Sequence, residues 1–422
     1  MELIPVVIGL GFGDEGKGTT VDYLCSVNPV DYVVRFSGGP QTAHNVVLED
    51  GREHTFAQFG SGTLRGVGTI LGPDTLINPF NMVKEAEHLY RLTGKNPFAN
   101  TFISENALLI TPLHSAANRQ RELNRGGNAH GSCGEGIGEA RSYALYQTPE
   151  DPMVVKDLLD LDGLKRKMSA YHTFLCQTLP KFNAPSVFDD ILEDYGFLME
   201  DHPVKIVADE EIADIMRSVD GRLVFEGSQG ILLDETFGFH PHTTWSDITA
   251  ANALKMAVAA GYESTDLSIY GIMRTYMTRH GHGPLPTEFT EVGWEEQYPE
   301  KHNAWGQFQG SWRAGVLDLP LLRYALEVQP CDALVLTHCD VLPETGFSVV
   351  AESPWDTIVP PLSKDLDYQE SMTNMLKSMT LQDGIVDKCA SVDELVGLIT
   401  YQLQTPVAIT SYGPTAADKK QQ

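Results

Sequence analysis

The segment Ile4 to Gly18, IPVVIGLGFGDEGKG, restricts this chain to a narrow set of folds. Its apolar run, Ile4 to Leu10, reads as a buried strand, and it opens into a turn carrying Gly11, Gly13, Gly16 and Gly18 together with Asp14, Glu15 and Lys17. A buried strand that ends in a glycine turn is the entry to an α/β phosphate site. Gly11-x-Gly13-x-x-Gly16 satisfies the dinucleotide fingerprint, and Gly11-x-x-x-x-Gly16-Lys17 satisfies the P-loop. Each match has a fault. A dinucleotide turn sets Asp14 and Glu15 against a pyrophosphate, which like-charge repulsion opposes. A P-loop needs a hydroxyl after its lysine to hold magnesium, and Gly18 stands there. Asp14 can serve in its place, because magnesium prefers carboxylate and phosphate oxygens. The turn therefore points to phosphoryl transfer with a carboxylate in the reaction centre. The alternative is a glycine-rich turn with solvated acids, and the segment by itself leaves both open.

The chain has 422 residues, enough for one large α/β domain with appendages or two to three smaller ones. Strand-like runs at Ile4–Gly9, Tyr32–Phe36, Leu108–Thr111, Arg222–Phe225, Leu267–Ile272, Ala333–Leu336 and Val407–Thr410 alternate with helical patterns. Those patterns are Thr19–Ser26, Pro79–Thr93, Asp151–Leu175, Glu210–Val219, Thr249–Ala260, Leu317–Glu327 and Val392–Gln402. The alternation predicts a large, mostly parallel central sheet flanked by helices. The stretch from about Asp151 to Met216 reads as an inserted helical subdomain, and Ala416 to Gln422 as a frayed end. A net charge of −27 argues against a nucleic-acid surface, which needs clustered Lys and Arg. No run of apolar residues approaches a membrane span and no signal pattern opens the chain, so a soluble cytoplasmic protein is expected. The six cysteines are scattered without zinc or disulfide spacing. The pairs His240–His242 and His280–His282 lack a third ligand at a recognisable spacing, and read as surface or phosphate-proximal histidines.

Gly9–Gly18, followed by Arg35-Phe-Ser-Gly-Gly-Pro-Gln41-Thr-Ala43-His44-Asn45, resembles the opening of adenylosuccinate synthetases, a strand, GDEGKG and an RxxGGxNAGH-like loop. Further matches follow in the family's order. Phe225–Asp234 resembles FEGAQGxLLD, Pro241–Thr244 resembles P-x-V-T, and Thr278–Glu288 resembles TRVGxGPFPTE. Thr337–Leu342 resembles TKLDVL and Ser411–Pro414 the terminal S-x-GP. The resemblance spans residues 7 to 414 and implies a single domain over 1–422 and a homodimer. It also implies a chemistry: GTP and Mg2+ are used to join aspartate to the 6-position of inosine monophosphate (IMP). A purine 6-oxo group leaves poorly; a γ-phosphoryl placed on it leaves well, and the aspartate amine displaces it.

The resemblance implies roles for residues. Asp14 takes the purine N1 proton and ligates magnesium, with the Ala43 carbonyl as a second contact. His44 donates to the transferring phosphoryl group and to the leaving group. Gly13, Glu15, Gly16, Lys17 and Gly18 handle the triphosphate, Asp340 reads guanine, and Ser411, Gly413 and Pro414 close that pocket. Gln41, Ser132, Cys133, Gln229 and Thr244 bind the purine monophosphate. Arg313 and Thr287 bind the amino acid.

Three loops depart from the pattern. The monophosphate loop, normally GTTGRGIGP, is Gly131-Ser-Cys-Gly-Glu135-Gly-Ile-Gly-Glu139, with Glu135 in place of a basic residue. The arginine that the family sends across its dimer is Gln147 at the matching offset, with Arg141 the nearest arginine. The amino-acid loop, normally TTGRxRRxGWxD, is Phe308-Gln309-Gly-Ser-Trp312-Arg313-Ala-Gly-Val-Leu-Asp318, which keeps one arginine. One guanidinium holds one carboxylate, so a dicarboxylate needs Arg279, Thr287 or backbone amides as well. Gln41 replaces an asparagine and His338 a lysine. The expected function is a ligase acting on IMP. The alternatives are a variant ligase for another purine monophosphate, such as dGMP, or another amino acid, and a nucleotide-binding regulator without ligation. A phage branch of the family that uses dGMP replaces the catalytic aspartate, whereas Asp14 is retained here.

Overall fold

The computed structural model describes residues 3–126, 130–148, 150–184, 186–202, 204–300, 310–341, 343 and 346–422. Among them, ten strands form one sheet: β1 (Ile4–Gly9), β2 (Tyr32–Arg35), β3 (Gly68–Leu71), β4 (Thr101–Ser104), β5 (Lys205–Val207), β6 (Leu223–Glu226), β7 (Leu267–Arg274), β8 (Ala333–Thr337), β9 (Val407–Ser411) and β10 (Lys419–Gln421). Their spatial order is β10-β9-β8-β7-β1-β6-β2-β3-β4-β5, and every pair is parallel except β9–β10. The sheet and its flanking helices make this an α/β fold.

β1 lies at the middle, with Val6 opposite Phe225 on one side and Ile269 on the other. Val6, Val7 and Ile8 are fully buried, because helices cover both faces of a parallel sheet. That two-sided burial is why β1 reads as an unbroken apolar run. The order reverses at β1: the chain after β1 crosses to β2 on one flank and later returns to β7 on the other. In such sheets ligands bind beyond the carboxyl ends of the strands, at the reversal. The turns after β1, β2, β6, β7, β8 and β9 all open there, and they carry the motif residues.

The elements missed from sequence have a common cause. β3, β4 and β5 lie on one flank and carry Gly68, Thr69, Thr101, Ser104 and Lys205, which interrupt any apolar run. Leu108–Thr111 was expected as a strand, but only Leu108–Leu109 pairs, in a side ladder with Leu76–Ile77. Thr111 instead caps the helix Pro112–Arg125. The helix expected over Asp151–Leu175 begins at Leu161, where the Asp160 carboxylate accepts the Gly163 N–H; a short 3-10 turn, Val155–Leu159, precedes it. The helices Leu161–Thr178 and Asp189–Asp201 pack Met168, Tyr171, Leu175 and Tyr195 into one apolar cluster with Leu89, Phe98 and Ile103. The chain then returns to the sheet as β5. The end, Lys419–Gln421, is a strand rather than a frayed tail. No described helix is long and apolar enough to cross a membrane.

The Thr111 cap gives a measurable pH dependence. The Thr111 N–H donates to His114 Nδ1 at 3.0 Å, so that nitrogen is unprotonated in the fold. The ring is 1 % exposed and stacks on Tyr171 with centroids 4.5 Å apart. Burial holds His114 at about 3, below its ordinary 6.5. Below pH 6.5 the unfolded chain takes up a proton that the folded chain refuses, so stability falls as pH falls. Between pH 6.5 and 5 this costs about 2 kcal/mol. Urea titrations at pH 8 and pH 5 should show His114→Leu losing less stability on acidification than the parent. Equal losses would show that His114 carries none of it.

Candidate active site

The turn after β1 is folded around its own carboxylate. Glu15 Oε1 accepts the Gly11 N–H at 2.5 Å and the Gly13 N–H at 3.4 Å, while Oε2 accepts Lys17 Nζ at 3.0 Å. Glu15 is 4 % and Lys17 2 % exposed. A Cβ at Gly9 would lie 2.0 Å from Glu15 Oε2, so only glycine lets the carboxylate in. The Glu15 carbonyl also accepts from Thr337 Oγ1 at 2.7 Å, tying the turn to β8. The Glu15 side chain thus serves the loop, and the backbone N–H groups at the start of α1 (Lys17–Val27) remain for an anion.

Gly18 has a steric explanation. A Cβ there would lie 2.6 Å from His44 Cβ and 3.0 Å from the His44 carbonyl carbon. The serine or threonine of a P-loop is excluded because the hairpin His44–Val47/Glu53–Phe56 packs directly on the first turn of α1. The missing hydroxyl and the nearby histidine are one structural fact.

Asp14 adopts φ 57°, a left-handed conformation that aspartate tolerates better than most residues. Its Oδ2 lies 3.0 Å from His280 Nε2, and its carbonyl accepts from Arg274 Nε. Burial by itself would raise the carboxyl group, but His280, Arg274 and Lys17 outweigh it and hold Asp14 below the ordinary range. It is therefore ionised at neutral pH, as a proton acceptor or magnesium ligand must be. A carboxylate of this kind suits Mg2+, which takes one or two protein carboxylates and completes its shell with phosphate and water. No group of three His, Cys, Asp or Glu capable of holding a metal occurs among the described residues. Ala43, the other expected contact, is exposed in the loop before His44.

His44 is 6 % exposed, and its Nδ1 lies 2.5 Å from Glu226 Oε1. A carboxylate only accepts, so Nδ1 carries the proton and Nε2 is the face offered to a ligand. Glu226, at the end of β6, is fully buried and also accepts from the Ser61 N–H and hydroxyl. Burial opposes its charge; Arg35, His44 and Ser61 prevail and keep it ionised, far below the usual carboxylate range. Burial keeps His44 neutral in return. The Phe225–Asp234 motif contains Glu226 but does not by itself reveal this role. The available signal was a carboxylate closing an otherwise apolar strand, since a buried charge needs partners.

The remaining expected residues fall into three groups. Near the monophosphate loop, both amide atoms of Gln41 and the Gln229 Oε1 are buried without a partner among the described residues. Such atoms cost stability unless a ligand or water completes them. Gln229 has φ 50°, a second strained position at this site. Ser132 Oγ accepts from Asn118 Nδ2 at 2.9 Å, and burial pushes the Cys133 thiol up to about 11, so it stays neutral. Glu135 accepts from Asn81 Nδ2 at 2.8 Å. The Thr244 N–H donates to the Leu233 carbonyl, and Gln147 follows the helix Ile137–Tyr146. Arg141 is engaged with Glu235.

In the amino-acid loop, Arg313 is committed to the protein. Its Nε and Nη2 donate to Glu288 at 2.8 and 2.6 Å, and its Nη1 to the carbonyls of Gly281 and Gly283. Arg279 donates to the carbonyls of His282, Pro284 and His242 and stacks on Phe12. Thr287 Oγ1 is buried without a partner among the described residues. Lys377 reaches His242 Nε2 at 2.9 Å. Phe308 and Gln309, and Leu342 of the guanine motif, lie outside the described residues. In the triphosphate group, Asp340 is exposed in the turn after β8, and the Ser411 carbonyl accepts the Cys339 N–H. Gly13 and Gly16 have φ of 88° and 94°, Gly413 O accepts from Ser411 Oγ, and the Pro414 carbonyl accepts from Thr19 of α1.

A sequence model of the family described as adenylosuccinate synthetase matches residues 6–419. The chain belongs to the adenylosuccinate synthetase family. It is therefore a ligase that forms C–N bonds. The adenylosuccinate synthetase of Shewanella halifaxensis is 32 % identical over 433 aligned positions, covering 97 % of this chain and 96 % of the relative. That of Thermoplasma acidophilum is 29 % identical, covering 96 % and 94 %. A fully ligated adenylosuccinate synthetase from Plasmodium falciparum superposes with a TM-score of 0.80 at 21 % identity, covering 99 % of both chains. A cyanophage S-2L succinoaminodeoxyadenylate synthetase, solved with dGMP and with dATP as energy donor, superposes with a TM-score of 0.63 at 17 % identity, covering 100 % of this chain and 95 % of the other. At these identities the two structures support the fold.

Proposed function

We propose that this adenylosuccinate synthetase homologue uses GTP and Mg2+ to phosphorylate the 6-oxo group of IMP and displaces the phosphate with aspartate, giving adenylosuccinate. The observation that carries this reading is the pairing, against the start of α1, of an ionised carboxylate at Asp14 with a carboxylate-backed imidazole at His44. Asp14 accepts the N1 proton, which concentrates charge on O6 as it attacks the γ-phosphorus. For His44 to donate to the transferring phosphoryl group, its Nε2 takes a proton from solvent as the charged phosphates bind, and Glu226 beside Nδ1 stabilises the resulting imidazolium. Lys17 and the amides of Gly16 to Gly18 face the phosphates. When bound, Mg2+ neutralises phosphate charge, and Asp14 with the Ala43 carbonyl would hold it. Asp340 would accept from guanine N1 and N2, which supports GTP. Two copies of the chain are expected to associate, although Gln147 offers no charge to a partner's phosphate site.

A second reading is favoured by Arg313. Its guanidinium is occupied by Glu288, which leaves the dicarboxylate clamp weaker than the family pattern requires. A variant ligase that takes another amino acid, or another purine monophosphate such as dGMP, fits that feature. The cyanophage relative, solved with dGMP, agrees with the dGMP version.

One panel separates the readings. Protein with Mg2+, GTP and each of IMP and dGMP is incubated with aspartate or with monocarboxylate amino acids. Products are weighed by mass spectrometry and phosphate release is counted. Adenylosuccinate from IMP and aspartate, at a kcat/KM at least tenfold above every other pair, supports the first reading. A larger kcat/KM for dGMP or for a monocarboxylate amino acid replaces it with the second. Tight GTP binding without product from any pair would sink both.

A further inference from the structure

We infer that His280 is a positioning residue for Asp14, which fixes the carboxylate by an N–H···O hydrogen bond. The inference rests on the reading of Asp14 as the reacting base. Where this chain has His280, the matched motif, TRVGxGPFPTE, has valine, which cannot form a hydrogen bond. Its Nε2 lies 3.0 Å from Asp14 Oδ2. Asp14 is ionised and can only accept, so Nε2 carries the hydrogen.

The two side chains differ in how they are held. Asp14 stands at φ 57° in a turn with Gly13 and Gly16, both also at positive φ; the Glu15 contacts and the Arg274 bond to the Asp14 carbonyl fix that backbone, but none of them reaches the Asp14 carboxylate. His280 closes a four-residue strand, Met277–His280, which pairs antiparallel with Trp312–Gly315 and sets His280 opposite Trp312. Imidazole and carboxylate are both largely buried, at 15 % and 23 % side-chain exposure. A donor on a paired strand therefore selects one rotamer of a carboxylate on a glycine turn. Supporting hydrogen bonds of this sort hold reacting groups in productive geometry. A carboxylate has about four lone-pair positions, so one bond on Oδ2 leaves Oδ1 for the purine N1–H and capacity for a metal.

The test compares His280→Val, which installs the family residue, with His280→Gln, which keeps a side-chain N–H. With the best substrate pair, His280→Val is expected to lower kcat by about 10- to 100-fold with nucleotide KM changed less than threefold. His280→Gln should recover most of the loss. A second readout needs no substrate: imidazole nitrogen NMR should show His280 as the Nε2–H tautomer, with a resonance that moves in Asp14→Ala. A His280→Val enzyme within twofold of the parent overturns the inference. So does equal loss in Val and Gln with matching loss of melting temperature, or a His280 spectrum indifferent to Asp14→Ala. If Asp14→Ala itself turns over normally, the reading of Asp14 as base falls instead.

Discussion

Asp14→Asn should cut kcat by about 10²- to 10⁴-fold, the range in which a positioned proton acceptor acts. The substitution keeps the shape of the side chain and leaves an amide oxygen for His280, so the turn should persist. What is lost is the negative charge that His280, Arg274 and Lys17 stabilise and that, in the proposed mechanism, accepts the N1 proton. The melting temperature is expected to stay within a few degrees, because the Glu15 contacts that shape the turn are untouched. Single-turnover measurement of product is the check. A rate within tenfold of the parent would remove Asp14 from the chemistry.

His44→Ala should have two effects of separate origin. Turnover should fall by about 10²- to 10⁴-fold, because the imidazole packed against the first turn of α1 is gone. Stability should fall by about 3 kcal/mol, because Glu226 keeps its charge in a fully buried place and loses one of its donors. Ser61 and Arg35 remain, which sets the estimate at the lower end of the range for breaking a buried pair. Glu226→Gln gives the complementary result: the amide cannot attract the imidazolium, so kcat falls while a neutral residue lowers the burial cost. Chemical denaturation and steady-state rates separate the two effects. An His44→Ala protein as active as the parent would sink the proposed role of His44, and one as stable would show that Glu226 is held by Ser61 and Arg35 alone.

What could be read from the sequence was what lies close along the chain or carries a distinctive local pattern. β1, its glycine turn and α1 form one continuous segment, and their buried faces leave an unbroken apolar run. Asp14, Lys17 and His44 stood out within motifs of a few residues. Glu226 was harder, because its partner His44 lies 182 positions away and only the folded sheet brings β2's following loop beside the end of β6. The same holds for His280, which sequence analysis assigned to the surface or a phosphate and which the structure places on Asp14. Glu15 and Arg313 show the converse. Both carry the charge expected of a ligand-binding residue, and in the fold both spend it on the protein, Glu15 on Lys17 and Arg313 on Glu288. A motif reports which side chain is present; it does not report which way that side chain turns. β3, β4 and β5 escaped notice because their threonines, glycine and lysine break the apolar pattern.

The carboxylate of Glu15 inside the glycine turn has a consequence for how the protein meets a nucleotide. A bare ring of N–H donors with a lysine above it repels itself, and is drawn together only when an anion arrives. Here the gathering is done during folding, by a residue that cannot diffuse away. Little shape entropy is then left to be lost when phosphate approaches, and more of each new contact can appear as affinity. The first turn of α1 remains the welcoming surface, and there only a ligand long enough to reach His44 and Asp14 as well has much to gain.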